Sequence, residues 1–319
     1  MSEDEEPLDP RIDICDAHHH LWEYPESVYL VDDLVADASG SRVTSTVFVE
    51  CRSGYRQDEP VETQPVGETE WVVARAAAGQ GVADAIVGFA DLTLGAAVED
   101  VLAAHVEAGQ GRFRGIRHAS AWHASPDVRR SHTDPPPELL RLPSFREGFA
   151  ALGRAGLTFD AWLYFTQLPE LVKLAQANPD VPIVLDHLGG PIAIGPHRGH
   201  RDEVLTEWRE SMQAVASCGN VVLKLGGIGM PIFGMDWHHR PERPGSEEVA
   251  SVWGPEIRWC IELFGPERCM FESNFPVDRA SFGYRVCWNA FVRTSSDLSQ
   301  SERQALFRGT AARTYRLDA

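Results

Sequence analysis

Short apolar runs alternate along this chain with longer segments of helical periodicity. Eight runs rich in apolar and β-branched residues have the length of strands: 11–16, 44–50, 85–91, 113–118, 158–164, 182–187, 220–225 and 268–274. Six segments between them have helical character: 68–78, 96–108, 144–155, 168–178, 203–217 and 248–264. This alternation is typical of a parallel sheet whose strands are joined by crossover helices.

Eight strands with intervening helices in 319 residues predict a single-domain (β/α)8 TIM barrel. We assign residues 11–319 to the barrel and residues 1–10 to an acidic N-terminal tail. An open doubly wound sheet would carry a Gly-x-Gly-x-x-Gly turn after its first strand, whereas here the first strand runs into three histidines.

The amino-acid composition indicates which kinds of molecule the chain can bind. The chain has 47 acidic and 29 basic residues, and its formal net charge of −18 argues against binding nucleic acid or an anionic membrane. Neither a secretory signal nor a membrane-spanning run is visible, so we expect a cytoplasmic protein. The six cysteines lack Cys-x-x-Cys spacing and are predicted to be reduced. We therefore expect a small-molecule substrate and leave a homo-oligomeric state open.

The first strand ends in the most informative motif, Asp16-x-His18-x-His20. Because strand side chains alternate, Asp16, His18 and His20 are expected to point to one side and Ala17 and His19 to the other. Two imidazoles sharing one site can hold a divalent metal, although buried histidines are also found as hydrogen-bonded core residues.

Polar side chains also end other strands of the predicted barrel. They are Arg117 and His118 on the fourth strand, Asp186 and His187 on the sixth, Lys224 on the seventh, and Glu272 and Asn274 on the eighth. The carboxyl ends of barrel strands meet at one face, where active sites form. Two long segments at that face, 119–142 and 226–247, are candidate lids, and single histidines within them, such as His132, are more simply read as surface residues.

Four motifs together resemble the amidohydrolase-related family. They are Asp16-x-His18-x-His20-x-Trp22, Asp186-His187-Leu188-Gly189-Gly190-Pro191, the stretch from Phe271 to Asp278, and the closing Thr310-Ala311-Ala312-Arg313-Thr314-Tyr315. The chain is most similar to the branch that contains lactonases for sugar lactones, muconolactones and pyrone dicarboxylates. This resemblance covers essentially the whole chain and implies a TIM-barrel hydrolase.

The resemblance also implies a metal site. Metal-binding members use the first-strand histidine pair, histidines on strands five and six, and an aspartate that ends strand eight. His18, His20 and His187 match this set, but the fifth strand has no histidine and Asn274 replaces the aspartate. One divalent metal such as zinc, held by His18, His20 and His187, and catalysis without metal are both open.

Three groups are candidates for acid/base chemistry. His187 is preferred because an imidazole with a pKa near 6.5 transfers protons at neutral pH. Glu272 is predicted to be a buried carboxylate that acts as a metal ligand, a general base or the structural partner of Lys224. Asp278 is a further candidate base or a helix N-cap. Asn274 is expected to polarise the substrate carbonyl together with His18 and His20.

Positive charge near the predicted mouth of the barrel indicates the substrate. The predicted substrate-binding residues are Arg52, Arg56, Arg117, Tyr164, Lys224 and Trp237. Arginine recognises carboxylates with two parallel hydrogen bonds, and aromatic rings suit a flat ring. We therefore expect a hydrolase that opens a lactone or related cyclic ester bearing a carboxylate. The alternatives are a metal-dependent decarboxylase or amidase of the same superfamily, or a barrel that binds a ligand without turnover.

Overall fold

The computed structural model describes residues 5–77 and 79–317. Its strands are β1 Ile14–His19, β2 Trp22–Tyr24, β3 Ser27–Tyr29, β4 Val43–Val49, β5 Ala85–Gly88, β6 Phe113–Ile116, β7 Thr158–Ala161, β8 Ile183–Leu185, β9 Val221–Leu225 and β10 Cys269–Phe271. Its helices are α1 Val31–Asp37, α2 Val66–Ala76, α3 Val98–Ala108, α4 Pro143–Arg154, α5 Leu168–Ala177, α6 Arg201–Ala216, α7 Ser246–Phe264, α8 Tyr284–Thr294, α9 Gln300–Gln304 and α10 Thr310–Tyr315.

Eight of the strands form one parallel sheet in the order β1-β4-β5-β6-β7-β8-β9-β10. Backbone hydrogen bonds join its two edges: the Asn274 N–H donates to the His18 carbonyl at 2.8 Å, and the His20 N–H donates to the Phe275 carbonyl at 2.7 Å. The sheet thereby closes into a barrel with helices between the strands. The predicted (β/α)8 TIM barrel is confirmed.

Every predicted strand and helix is present. Six strands, β5 to β10, are shorter than predicted, and the first strand is displaced from 11–16 to 14–19. The predicted helix end at residue 78 lies outside the described residues. The β2–β3 hairpin and helices α1, α8, α9 and α10 were not among the predicted elements. Except for α8, each of these is too short to show a clear period. In the segment assigned to an acidic tail, the Glu5 carboxylate accepts hydrogen bonds from the Ser246 N–H at 2.8 Å and the Asn289 amide at 2.9 Å.

A β-bulge in the first strand directs its side chains. Asp16 pairs with Thr46 and His19 pairs with Phe48, so the segment between these two pairs is one residue longer on β1 than on β4. The extra residue reverses the alternation at this point. Ala17 therefore faces the small apolar cluster inside the barrel, and His18 also faces inward.

The bulge corrects two expectations. Ala17, expected on the opposite side from His18, faces inward with it. Asp16 points away from His18 and His20, because its carboxylate accepts hydrogen bonds from the Ser273 hydroxyl at 2.6 Å and from the Tyr284 hydroxyl of α8 at 3.0 Å. His19 points to the side opposite His18, as expected, and its Nε2 lies 2.8 Å from the Thr46 hydroxyl.

The core has two layers. Small apolar side chains fill the amino-terminal half of the barrel interior, and larger ones pack between sheet and helices, where Phe271 stacks on Phe291 with ring centroids 4.4 Å apart. Such aromatic contacts contribute about 0.5–1.5 kcal/mol beyond the area they bury. All six cysteines are free, as predicted. No helix among the described residues is long and apolar enough to cross a membrane.

Candidate active site

A cavity of about 580 Å³ opens at the carboxyl end of the barrel strands. Strand ends contribute His20, Arg117, Trp162, His187 and Asn274 to its walls, and the two long loops contribute Arg129, Arg130, Ser131, His132, Met230, Pro231 and Ile232. A larger cavity of about 780 Å³ lies at the opposite end of the barrel, around Asp9, Arg11 and Arg303, and contains none of the predicted site residues. We take the carboxyl-end cavity as the candidate site, because it gathers the polar strand ends.

The imidazoles of His18 and His20, at the end of the first strand, are neutral. His20 Nδ1 lies 2.8 Å from the Val49 carbonyl, so this nitrogen carries the proton and Nε2 has a free lone pair. Burial, with the nearby His18 and Arg117, holds the pKa of His20 well below its usual value. Burial and the Lys224 ammonium also lower the pKa of His18. His18 is fully buried behind the cavity wall, with its ring 4.9 Å from that of His20.

Glu272 holds the imidazole of His187. Its Oε1 lies 2.7 Å from His187 Nδ1 and accepts a second hydrogen bond from the His187 backbone N–H at 3.2 Å, while Oε2 lies 2.9 Å from His18 Nδ1. Burial raises the pKa of Glu272, but the facing His187 and His18 lower it further, to about 2. The ionised carboxylate therefore orients His187 with Nδ1 protonated and Nε2 free to face the cavity.

Lys224 has a different partner from the one considered in the sequence. Its ammonium lies 2.7 Å from Asp160 Oδ2 and 3.0 Å from Asp186 Oδ1, and all three side chains are fully buried. Burial lowers the pKa of Lys224, but Asp160 and Asp186 raise it more, so the ammonium stays charged. Lys224 lies below the cavity and does not line it.

These contacts decide whether a divalent metal fits. Among the described residues, His18, Asp186 and His187 bring metal-ligating atoms within 4.8 Å of one another. However, Lys224 Nζ lies 3.2 Å from His18 Nδ1, and Arg117 Nη1 lies 3.3 Å from His18 Nε2. A neutral imidazole has one lone pair, so in either tautomer the lone pair of His18 faces a fixed cation.

Asp186 is engaged in the same way. Its carboxylate oxygens lie 3.0 Å from Lys224 Nζ and 3.5 Å from Arg117 Nη1. Two of the three potential ligands are therefore committed to side-chain cations, and a metal ion beside them would meet strong like-charge repulsion in a buried site. Both Asp186 oxygens lack a hydrogen-bond partner among the described residues, and His20 and His187 each keep a free Nε2, so the groups that oppose a divalent ion here are the two cations beside His18.

Asn274 lines the cavity and contacts Asp278 behind it. The Asn274 amide donates to Asp278 Oδ1 at 2.8 Å, and the Gly229 N–H donates to Asp278 Oδ2 at 2.7 Å. Burial raises the pKa of Asp278 to about 7. Asp278 is thus buried behind Asn274 in a short 3-10 turn, Val277–Ala280, and does not cap α8, which begins at Tyr284 after Gly283.

Of the other predicted substrate-binding residues, two line the cavity and three do not. Arg117 lines the cavity, and its Nε lies 2.8 Å from Glu50 Oε1. Tyr164 also lines it and donates its hydroxyl to the Arg129 carbonyl. Three others lie outside the lining: Arg56 pairs with Glu70 on the surface, Arg52 donates to the His132 carbonyl, and Trp237 is buried against Phe282 and Glu248.

Sequence reasoning missed Arg129, Arg130 and His132 as residues of this cavity, although it identified the loop that carries them. The signal was present in the run Arg129-Arg130-Ser131-His132, three basic side chains in four residues. Arg130 pairs with the exposed Asp134 at 3.2 Å. Arg129 has no ion-pair partner among residues 5–77 and 79–317.

The family of this chain follows from its similarity to known proteins. The sequence profile described as amidohydrolase matches residues 15–317. The chain belongs to the amidohydrolase family. As a family member it is an enzyme of the hydrolase class, and the resemblance read from its motifs is confirmed.

Relatives cover the whole length of the chain. It is 34% identical over 334 residues to the uncharacterized protein y4mH of Sinorhizobium fredii, across 96% of this chain and 99% of that one. It is 27% identical over 318 residues to L-fucono-1,5-lactonase of Burkholderia multivorans, across 95% of each. A crystal structure of an amidohydrolase from Burkholderia multivorans with bound zinc matches with a TM-score of 0.74 and 26% identity, across 95% of this chain and 99% of that one.

Proposed function

We propose that this amidohydrolase opens a lactone that bears a carboxylate, by attack of water on the ring carbonyl. The observation that carries the proposal is the pair of Glu272 and His187, whose free Nε2 faces a cavity that Arg117 and Arg129 also line. The similarity to L-fucono-1,5-lactonase supports the lactone, and Arg129 supports the carboxylate.

His187 is the general base. A water molecule beside its Nε2 gives up a proton to that nitrogen as the oxygen bonds to the carbonyl carbon. The imidazolium that forms donates from Nδ1 to Glu272, 2.7 Å away, whose charge stabilises it. Glu272 acts through His187 and is therefore a positioning residue.

Arg117 stabilises the negative charge that develops on the carbonyl oxygen. Its Nε and Nη2 donate to Glu50 at 2.8 and 2.7 Å, which fixes the guanidinium plane, and its side chain is only 6% exposed. Burial lowers the pKa of Arg117, but Glu50 and Asp186 raise it more, so the group remains cationic. A preorganised cation shielded from water is effective in this role.

Arg129 binds the carboxylate of the substrate. It is exposed at the cavity wall and has no ion-pair partner in the described part of the chain, in a protein whose net charge is −18. An arginine that is not neutralised by its own protein is suited to a charged ligand group. The free Nε2 of His20 and the amide of Asn274 remain for substrate hydroxyl groups.

The proposed reaction has no step that requires a metal, because Lys224 and Arg117 face the two ring nitrogens of His18 and form ion pairs with Asp186. The zinc in the related crystal structure belongs to that protein.

The test is a pH-indicator assay of the purified protein with γ- and δ-lactones of aldaric acids and with neutral aldonolactones. We expect hydrolysis of both, with a higher kcat/KM for the carboxylated compounds. Release of carbon dioxide instead of acid would point to a decarboxylase. Saturable binding by calorimetry without turnover would point to a barrel that only binds its ligand. Either result would overturn the proposal.

A further inference from the structure

The long loop 119–142 brings a second carboxylate-oriented imidazole into the cavity. His132 Nε2 lies 2.9 Å from Glu50 Oε2, and Glu50 is fully buried. The His132 side chain is 28% exposed and lines the cavity with His187. His132 Nδ1 has no hydrogen-bond partner among the described residues, so this nitrogen is available to a substrate.

Hydrogen bonds hold this part of the loop in place. The Ser131 N–H donates to the Ala121 carbonyl at 2.9 Å, and the Ser131 hydroxyl donates to the Ala119 carbonyl at 3.1 Å. Arg52 Nη1 donates to the His132 carbonyl at 3.1 Å. The position of His132 is therefore defined by contacts on both sides of the residue.

Glu50 links His132 to Arg117. One carboxylate oxygen faces His132 at 2.9 Å and the other faces Arg117 Nε at 2.8 Å. Burial raises the pKa of Glu50, but His132 and Arg117 lower it more, so the carboxylate is ionised. An ionised carboxylate at one nitrogen stabilises the protonated form of an imidazole and fixes the orientation of its ring.

A lactone needs an acid as well as a base. Opening the ring breaks the bond between the carbonyl carbon and the ring oxygen, and an alkoxide leaves poorly unless it is protonated as that bond breaks. His187 takes a proton from water in the proposed reaction, and a separate acid lets the ring oxygen gain its proton without waiting for that proton to be passed on from His187. His132 is the second imidazole in the described walls of the cavity that a carboxylate orients.

We propose that His132 is the general acid of the lactone-opening reaction and that Glu50 is its positioning residue. The assignment rests on the proposed lactonase function. Protonated His132 donates from Nδ1 to the ring oxygen as the acyl carbon–oxygen bond breaks, and that oxygen becomes the hydroxyl of the product. His187 returns the proton taken from water to solvent, and His132 regains one from solvent, to which it is exposed. The overall reaction converts one lactone and one water molecule into one hydroxy acid.

The leaving group provides the test. Wild type and His132→Gln are compared on an aliphatic δ-lactone, whose leaving group is a poorly stabilised alkoxide, and on the aryl lactone dihydrocoumarin, whose leaving phenoxide needs no acid. We expect kcat for the aliphatic lactone to fall about 100-fold and kcat for dihydrocoumarin to fall less than about 5-fold, within the range of general acid catalysis. A role in folding or binding alone would lower both rates equally.

Two further variants complete the design. His200→Gln is the matched control, because His200 Nδ1 lies 2.9 Å from Glu203 on the surface, away from the cavity, and should leave both rates unchanged. Glu50→Gln should lower kcat for the aliphatic lactone more than kcat for dihydrocoumarin, since the imidazolium loses its counter-charge. The charged and titratable groups around His132 are Glu50, Arg52, Arg117, His118 and Arg130.

The outcomes separate the two proposals. If the wild-type protein opens neither lactone, the proposed function fails. If the wild-type protein opens both and His132→Gln keeps the wild-type ratio of the two rates, the assignment of His132 fails while the lactonase function stands. An increase in KM with unchanged kcat for both lactones would make His132 a binding residue and would also overturn the assignment.

Discussion

Glu272 Oε1 lies 2.7 Å from His187 Nδ1, and the same oxygen accepts the His187 backbone N–H at 3.2 Å. Residue 187 has a left-handed backbone conformation, with φ of 52°, which turns its side chain from the end of β8 toward β10. The carboxylate and the backbone thus orient the imidazole together.

His187→Gln is therefore expected to lower kcat for lactone hydrolysis by about 10²–10⁴, the usual contribution of a general base. Glutamine can still donate to Glu272, so the fold should survive. The measurement is initial rate in the pH-indicator assay, with circular dichroism as the check on folding. Wild-type turnover in a folded His187→Gln protein would show that another group activates the water.

Removing metal should leave the activity in place. Because His18 and Asp186 are engaged by Lys224 and Arg117, we expect protein dialysed against a chelator to retain its kcat. Elemental analysis before and after dialysis gives the metal content of each sample. Activity that disappears with zinc and returns when zinc is added would support the metal-dependent alternatives instead.

Arg129→Ala should discriminate between substrates. The guanidinium is unpaired at the cavity wall, so its loss should raise KM for carboxylated lactones about 10-fold or more, in line with the energy of a charge-assisted hydrogen bond. KM for neutral lactones should change little. Arg154→Ala is the control, because Arg154 pairs with Glu99 on the outer surface. Equal changes for both substrate classes would argue against a carboxylate contact.

Lys224→Met should destabilise the protein. The substitution leaves Asp160 and Asp186 in the barrel interior without their ammonium, and breaking a buried ion pair in this way costs about 3–5 kcal/mol. The midpoint of urea unfolding reports the loss. A midpoint equal to that of wild type would mean that the two carboxylates are protonated in the folded state.

Asp278→Asn should change how stability depends on pH. Burial raises the pKa of Asp278 to about 7 from an ordinary value of 3.8, so the folded state binds this proton more tightly than the unfolded state does. The contribution of Asp278 to the free energy of unfolding is then greatest at low pH and declines as pH rises from about 4 to about 7.

Asparagine removes this dependence. The melting temperature of Asp278→Asn relative to wild type should therefore increase between pH 5 and pH 8 in thermal unfolding. Asp134→Asn, at a carboxylate that is 81% exposed, should show no such trend. Parallel curves for wild type and Asp278→Asn would contradict a raised pKa at this position.

The amino-acid sequence by itself determined the barrel and the face that holds the site. Alternation of strand and helix is local, and polar residues at strand ends must meet once the sheet closes, so His20, Arg117, His187 and Asn274 could be assigned to one region in advance. The family followed from the same motifs.

Only the tertiary structure decided which partners these residues take. Asp16 turns away because of a one-residue bulge, Lys224 selects Asp160 and Asp186, and Glu272 selects His187. The pairs come from strands far apart in sequence, so no spacing encodes them. The loop residues Arg129 and His132 are held at the cavity by hydrogen bonds to other loops. Such contacts leave no periodic pattern in the sequence, because they join segments that come together only in the folded protein.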